Sequence, residues 1–255
     1  MTTAIKSHFA SFDGTRLAIH KAGDGRPVIL LHGLFSSADM NWMKWGHDGR
    51  LVKAGLEAIM LDFRVHGESA APRDAASYPE GVLVRDVEAL VSHLGLSDGE
   101  YDLVGFSLGA RTAIHGCAKG ALKPRRLVAC GMGLEGLSQW ERRAAHFIRV
   151  IDEFDTIGPG DPAYTARTFL KSQGIDQVAA RLLLQAMDPF DIDDLSRIDV
   201  PCAVINGAQD DDNGSGEDLV NSLSDAVHIT VPGNHLNSVT KPELGEAIVR
   251  FLADA

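Results

Sequence analysis

The sequence predicts a doubly wound α/β fold, a mostly parallel sheet opened by an antiparallel N-terminal hairpin and interrupted by one helical insertion. Three observations support this. Short apolar runs recur along the chain without the in-and-out alternation of half-exposed strands, as suits parallel strands covered on both faces. Amphipathic helical patterns lie between those runs, and strand–helix alternation implies a sheet wound on both sides. From about residue 134 to 197 the alternation stops, and only helical patterning remains.

The elements follow in order. Residues 7–12 and 15–21 flank Asp13-Gly14, a turn pair that joins two strands into a hairpin. Apolar runs at 28–31, 58–61, 103–104, 127–130, 203–205 and 227–231 supply the strands buried on both faces. Leu83, Val87, Leu90, Val91 and Leu94 form one helical stripe behind a capping box of Ser77 and Glu80. Leu244, Ala247, Ile248, Phe251 and Leu252 form another behind Thr240 and Glu243. In the insertion, Trp140, Phe147, Ile151 and Phe154 share a stripe, while Gly158-Pro159-Gly160 and Asp188-Pro189 break the helices. Tyr164, Phe169, Leu182, Leu183 and Phe190 add apolar bulk; most of these side chains are expected to pack the insertion's own core and its seam with the sheet. The expected division is one core domain of residues 1–133 and 198–255, with 134–197 inserted as a helical cap. No repeat or low-complexity segment appears.

Composition bounds the function. A chain of 255 residues, 45% hydrophobic and 23% charged, has the make-up of an ordinary globular protein with a sizeable core. A formal charge of −11 without a Lys/Arg cluster argues against nucleic acid as a partner, since phosphate backbones require a basic face. The N-terminus lacks a charged-then-apolar signal pattern, and no apolar run approaches the roughly 18 residues of a membrane helix. A cytoplasmic protein with a small-molecule substrate and no membrane partner is the resulting expectation; oligomeric state is not legible. Cys117, Cys130 and Cys202 are odd in number and sit in core-like runs, so buried reduced thiols are expected. No metal-ligand spacing is present, and neither metal nor cofactor is expected.

The chemistry is concentrated in Gly105-Phe106-Ser107-Leu108-Gly109, a G-x-S-x-G pattern directly after the strand run 103–104. Ala110, Ala113, Ile114, Cys117 and Ala118 then follow at helical spacing. A strand-to-helix turn this tight strains the serine backbone and exposes its hydroxyl, and glycines on both sides avoid Cβ clashes. Ser107 is the candidate nucleophile. A serine hydroxyl needs a base, and the base needs an orienting acid. Asp210 lies 103 residues beyond Ser107 and His235 a further 25, each just past the C-terminal end of a strand run. Open α/β sheets place their active groups there.

On these motifs the chain resembles an α/β-hydrolase-fold enzyme of the compact, capped esterase and C–C hydrolase kind. His32-Gly33-Leu34-Phe35 resembles that family's oxyanion loop. The segment from Asp62 to Ser69 is similar to its D-x-R-G-x-G-x-S motif, with Val65 where glycine is usual. The resemblance implies a triad of Ser107, Asp210 and His235, with the oxyanion held by the backbone N–H groups of Leu108 and Leu34, and Phe35 second. The G-x-x-D spacing from Gly207 selects Asp210 over its neighbours Asp211 and Asp212. His235 is preferred to His228, which lies inside a strand. His32, His66, Asp62 and Arg64 are implied to be structural. His47, next to Trp42 and Trp45, is read as a surface histidine in preference to one lining the pocket entrance. Phe35, Trp140, Phe147 and Leu236 are candidate pocket residues. The expected activity is acyl transfer from a small, fairly apolar ester, lactone or thioester. The alternatives are cleavage of a C–C bond beside a carbonyl, and a ligand-binding module without turnover.

Overall fold

A computed structural model of the chain describes residues 4–253, so residues 1–3 and 254–255 of the expected core segments, and the first three of the N-terminal stretch read for a signal pattern, lie outside the described residues. Eight strands form one sheet: β1 (Ile5–Ala10), β2 (Arg16–Ala22), β3 (Arg26–Leu31), β4 (Leu56–Leu61), β5 (Asp102–Phe106), β6 (Leu127–Cys130), β7 (Cys202–Gly207) and β8 (Ala226–Val231), in the order β1-β2-β4-β3-β5-β6-β7-β8. The first two strands form the expected hairpin, β2 pairs antiparallel with β4, and all other pairings are parallel.

Successive residues of the central strands feed two cores. Ile29, Leu31, Leu103 and Val204 face the side covered by α2 (Val82–His93) and α3 (Leu108–Ala118). Val28, Leu30, Val104 and Ala203 face the side covered by α1 (His47–Lys53) and the C-terminal helix (Pro242–Ala253). Being buried on both faces is why these runs lack alternation. The run at 227–231 departs from that expectation: β8 is the sheet edge, and Val227 is 47% exposed. Neither expected capping box forms. The N-cap of α2 is Gly81, and Asp74 instead accepts the Ser77 N–H and hydroxyl in a preceding turn. Thr240 donates its hydroxyl to the Asn237 carbonyl in a short turn before the last helix.

Between β6 and β7 the chain is helical, as expected: α4 (Leu134–Ser138), α5 (Trp140–Asp152), α6 (Tyr164–Ser172) and α7 (Gln177–Gln185), then a 3-10 turn at Ile192–Arg197. Leu183 is buried, and Phe190 packs edge-on against His115 at 5.4 Å between ring centroids. A last pair of helices follows, α8 (Gly216–Asn221) and α9, the C-terminal helix at Pro242–Ala253. Among the described residues no helix is long and apolar enough to cross a membrane. Cys117, Cys130 and Cys202 are buried and free.

The topology fixes where a site can form. From β3 the chain steps to β4 on one side and later to β5 on the other, so the sheet's winding reverses between β3 and β5. The loops leaving those adjacent strands diverge and open a crevice at their C-terminal ends. A buried polar network holds its walls. Asp62 accepts the N–H groups of Ala38 at 2.7 Å and Glu68 at 3.0 Å and lies 3.1 Å from His20 Nε2. Burial opposes its ionisation, but those hydrogen bonds outweigh it and hold its carboxyl below the usual range. His32 bonds the Gly33 carbonyl through Nδ1 and the Phe63 N–H through Nε2; His66 bonds the Arg64 carbonyl and the Phe35 N–H in the same way. Each ring therefore donates from Nδ1 and accepts at Nε2, so both are neutral. Arg64 is fully buried and grips Asp86 on α2 through two bonds of 2.7 and 2.6 Å, and Asp13 of the hairpin turn at 3.0 Å. These are the structural roles the resemblance implied.

His47 is a correction. Far from the surface, it is 1% exposed, with Nε2 2.7 Å from the Val239 carbonyl and its ring edge-on to Trp42.

Two predictions rest on buried polar groups, of this network and of α3. Arg64→Leu leaves Asp86 buried without its cation, and should cost about 3–5 kcal/mol. The urea midpoint reads this, and a loss under about 1 kcal/mol, typical of a surface pair, would contradict the role assigned to Arg64. The second concerns pH. Burial pushes His66 down to about 3, and His115, buried beside Lys119 and Arg111, down to about 4. Below pH 6.5 the unfolded chain takes up protons that these folded rings refuse, so stability falls by roughly 1.4 kcal/mol per pH unit for each ring. The urea midpoint should drop steadily from pH 6.5 to about pH 4. A flat profile over that window would show that the rings are not held neutral.

Candidate functional site

Ser107 sits between β5 and α3 at φ 52° and ψ −110°, a conformation that costs free energy for any residue with a Cβ. Packing enforces it. A Cβ on Gly105 would lie 2.3 Å from the Ala110 nitrogen, and one on Gly109 would lie 2.1 Å from the Leu31 carbonyl oxygen. Only glycines let β5, α3 and β3 approach this closely, and the chain must turn sharply at the residue between them. The Ser107 N–H is anchored to the Cys130 carbonyl at 2.8 Å, leaving the side chain in the crevice.

Asp210 and His235 arrive from neighbouring strands. The loop after β7 is tied to the loop after β8 by Ala208 N–H to the Val231 carbonyl at 2.8 Å and Gln209 N–H to the Gly233 carbonyl at 2.9 Å. Gly233, at φ +107°, turns the chain, and Asn234 accepts the Leu236 and Asn237 N–H groups at 3.1 Å each. This fixes the position of His235. Its Nδ1 lies 3.1 Å from both Asp210 oxygens, and its Nε2 lies 3.0 Å from Ser107 Oγ. The carboxylate accepts the Nδ1–H, which leaves the Nε2 lone pair to receive the serine proton. Asp211 and Asp212 are exposed, and neither bonds His235. His228 lies on β8 with Nε2 3.2 Å from Asn206 Oδ1, away from this line of groups.

Two main-chain N–H groups beside Ser107 are unused. Leu108 opens α3, so its N–H has no acceptor within the helix and lies at the positive end of the helix dipole. The Leu34 N–H has no partner among the described residues. Phe35, the second expected donor, differs: its N–H is taken by His66 Nε2 at 3.0 Å. Phe35 is at φ 58° and Val65 at 77°; with Ser107 these are the non-glycine residues of positive φ among those described. Val65 thus adopts the turn for which the family motif uses glycine, at a steric cost for a β-branched side chain.

A cavity of about 630 Å³ opens over Ser107 and His235. Phe35, Trp140, Phe147 and Leu236 all line it, as do Leu34 and Leu108. Trp140 and Phe147 come from α5 and Phe169 from α6. The sequence reading missed Asn41, Arg111 and Arg143. Arg111 was detectable, since it lies one helical turn after Ser107 and so on the same face of α3. Asn41 carried no signal: it follows the β3 loop in an irregular turn, where its Oδ1 accepts the Gly33 N–H at 3.1 Å and steadies Leu34. Among the described residues no group of three or more His, Cys, Asp or Glu is placed to hold a metal ion.

The chain is similar to known proteins in sequence and in fold. A stretch of 105 residues is 34% identical to a soluble epoxide hydrolase of Corynebacterium sp. (strain C12), covering 41% of this chain and 33% of that one. Another of 129 residues is 32% identical to the N-formylmaleamate deformylase of Pseudomonas putida, covering 50% of this chain and 46% of that enzyme. The matched stretches thus span less than half the length of these curated relatives. Among solved structures, a hydrolase from Pseudomonas aeruginosa PA01 superposes with a TM-score of 0.74 at 23% identity, covering 97% of this chain and 98% of that one. A serine hydrolase involved in carbazole degradation, the CarC enzyme, does so at 0.74 and 21%, covering 98% and 99%. At such identities the likeness establishes the fold. The model of the Alpha/beta hydrolase family matches residues 28–244, most of the chain, and the protein belongs to that family.

Proposed function

We propose that the protein is a serine hydrolase that cleaves small carboxylic esters, lactones or thioesters through an acyl-enzyme on Ser107. The observation that carries this reading is the unbroken line of hydrogen bonds from Asp210 through His235 to Ser107. His235 takes the Ser107 proton as the hydroxyl attacks the acyl carbon, then returns it to the departing alcohol. Asp210 holds the reactive tautomer and stabilises the imidazolium. Water then repeats the sequence against the acyl-enzyme. The Leu34 and Leu108 N–H groups, unpaired among the described residues, suit the oxygen on which negative charge develops.

The nucleophile decides between the relatives' chemistries. Serine attack on an epoxide carbon would leave a stable ether, with no carbonyl for water to attack. Attack on an acyl carbon leaves an ester that the same His235 can hydrolyse. A serine at the elbow therefore favours acyl substrates, despite the partial similarity to epoxide hydrolases. Residues 134–197 act in this reading as a cap that excludes water and shapes the acyl pocket, supported by the Trp140, Phe147 and Phe169 side chains in the cavity wall.

A fluorophosphonate tests the reading, because only an activated serine displaces its fluoride. One adduct per chain is expected by intact mass, on the peptide containing Ser107. Ser107→Ala should abolish it and His235→Ala slow it severely, with hydrolysis of a panel of p-nitrophenyl esters falling in parallel. Asp210→Asn should lower turnover by about 10⁴-fold by favouring the wrong imidazole tautomer, while Asp211→Asn and Asp212→Asn stay near wild type. Folded wild-type protein that neither labels nor hydrolyses any ester would instead indicate a ligand-binding module.

A further inference from the structure

Three residues that line the cavity carry buried hydrogen-bond donors without a protein partner. These donors are Asn41 Nδ2, Arg111 Nε and Trp140 Nε1. Each of these atoms donates and none accepts. An unsatisfied buried donor is costly, and a ligand that reaches one supplies the missing acceptor.

Arg111 is the charged residue of the three. It is 2% exposed, on α3 one turn beyond Ser107, with its guanidinium 4.7 Å from the centre of the Trp140 ring. Its protein hydrogen bond runs from Nη2 to the Asp188 main-chain carbonyl. The Asp188 carboxylate is engaged elsewhere, at 2.9 Å from the Gly81 N–H and 3.0 Å from Lys119 Nζ. Arg111 thus has no ion pair among the described residues, and burial lowers its pKa to about 10. A buried cation without a counterion is expensive. The cavity lining also includes Arg142 and Arg143 against a single acidic residue, Asp212, although acidic residues outnumber basic ones by 35 to 24 in the chain.

We propose that the substrate's acyl chain ends in a second carboxylate, received by the Arg111 guanidinium. The inference rests on the serine-hydrolase reading and deepens it. Arg111 lies four positions beyond Ser107, a helical rise of roughly 6 Å. That span suits half-esters of short dicarboxylic acids, bound with the ester carbonyl at Ser107 and the free carboxylate at the guanidinium. The planar guanidinium matches a carboxylate, which it can bind through paired N–H groups. The expected substrate is therefore less apolar than the sequence alone suggested.

The test compares monoethyl glutarate and monoethyl adipate with ethyl pentanoate and ethyl hexanoate, following acid release at constant pH. Wild-type protein should favour the half-esters by tenfold or more in kcat/KM. Arg111→Met should collapse that ratio by about 10- to 100-fold, the worth of a charge-assisted hydrogen bond, and Arg111→Lys should restore part of it. Equal or faster hydrolysis of the neutral esters by wild type, or an unmoved ratio in Arg111→Met, overturns the proposal and leaves Arg111 as a structural tie to Asp188. A second readout is independent of turnover. Adipate, but not adipamide, should raise the Tm of the wild-type protein, and less so that of Arg111→Lys. If no ester is cleaved and Ser107 does not label, the hydrolase reading fails, yet the adipate shift still decides the anion site. No shift with adipate, or a shift with inorganic phosphate alone, overturns the carboxylate assignment.

Discussion

The site depends on one steric constraint, the contact of β5, α3 and β3 at distances that admit no side chain at Gly105 or Gly109. That contact forces the residue between them into a positive-φ conformation and turns its side chain outward. It also places the first free N–H of α3 beside that side chain. Position, exposure and an adjacent donor all follow from packing, before any chemistry is assigned to Ser107. The strain is sustained because the sheet on one side and the helix on the other are both deeply buried.

The second layer of the design keeps the loop after β3 in place. Asp62, His32 and His66 satisfy main-chain groups at Ala38, Phe63 and Phe35, and Asn41 satisfies that of Gly33. Because the Phe35 N–H is taken, the neighbouring Leu34 N–H is the one left facing the cavity. Val65 turns the same loop system at a conformation suited to glycine, which indicates that the Arg64 and Asp62 bonds on either side determine the local geometry more than its own preference does. The same neutrality of His32 and His66 that fixes these loops makes them sensitive to acid, so a catalytic scaffold and a pH liability share one cause.

Much of this was legible in the sequence, for identifiable reasons. Strands covered on both faces announce themselves as continuous apolar runs, and the hairpin announced itself through Asp13-Gly14. Ser107 was readable because a tight strand-to-helix turn needs glycines at fixed offsets, and Asp210 and His235 through their places at strand ends together with the family resemblance. The failures are also physical. The residues proposed as capping boxes make hydrogen bonds within preceding turns, and local pattern cannot distinguish those two uses of Ser and Thr. The edge position of β8 depends on pairing, not on its composition. His47 looked like a surface histidine because its burial comes from a contact with Val239, far along the chain. Unpaired donors at Asn41, Arg111 and Trp140 are a property of three distant segments meeting, and no single window contains it.

The account's central claim is that Ser107 carries the acyl group between two half-reactions. The most direct measurement mixes enzyme with excess activated ester, quenches in acid within milliseconds and reads both released alcohol and intact mass. A covalent intermediate predicts a mass increase equal to one acyl group, located on the Ser107 peptide, in step with alcohol release. Where deacylation is the slower step, it also predicts an initial burst of one alcohol per active site. Steady turnover of esters with leaving groups from p-nitrophenol to ethanol, with neither an alcohol burst nor acylated protein at any quench time, would contradict it and point to direct attack by water.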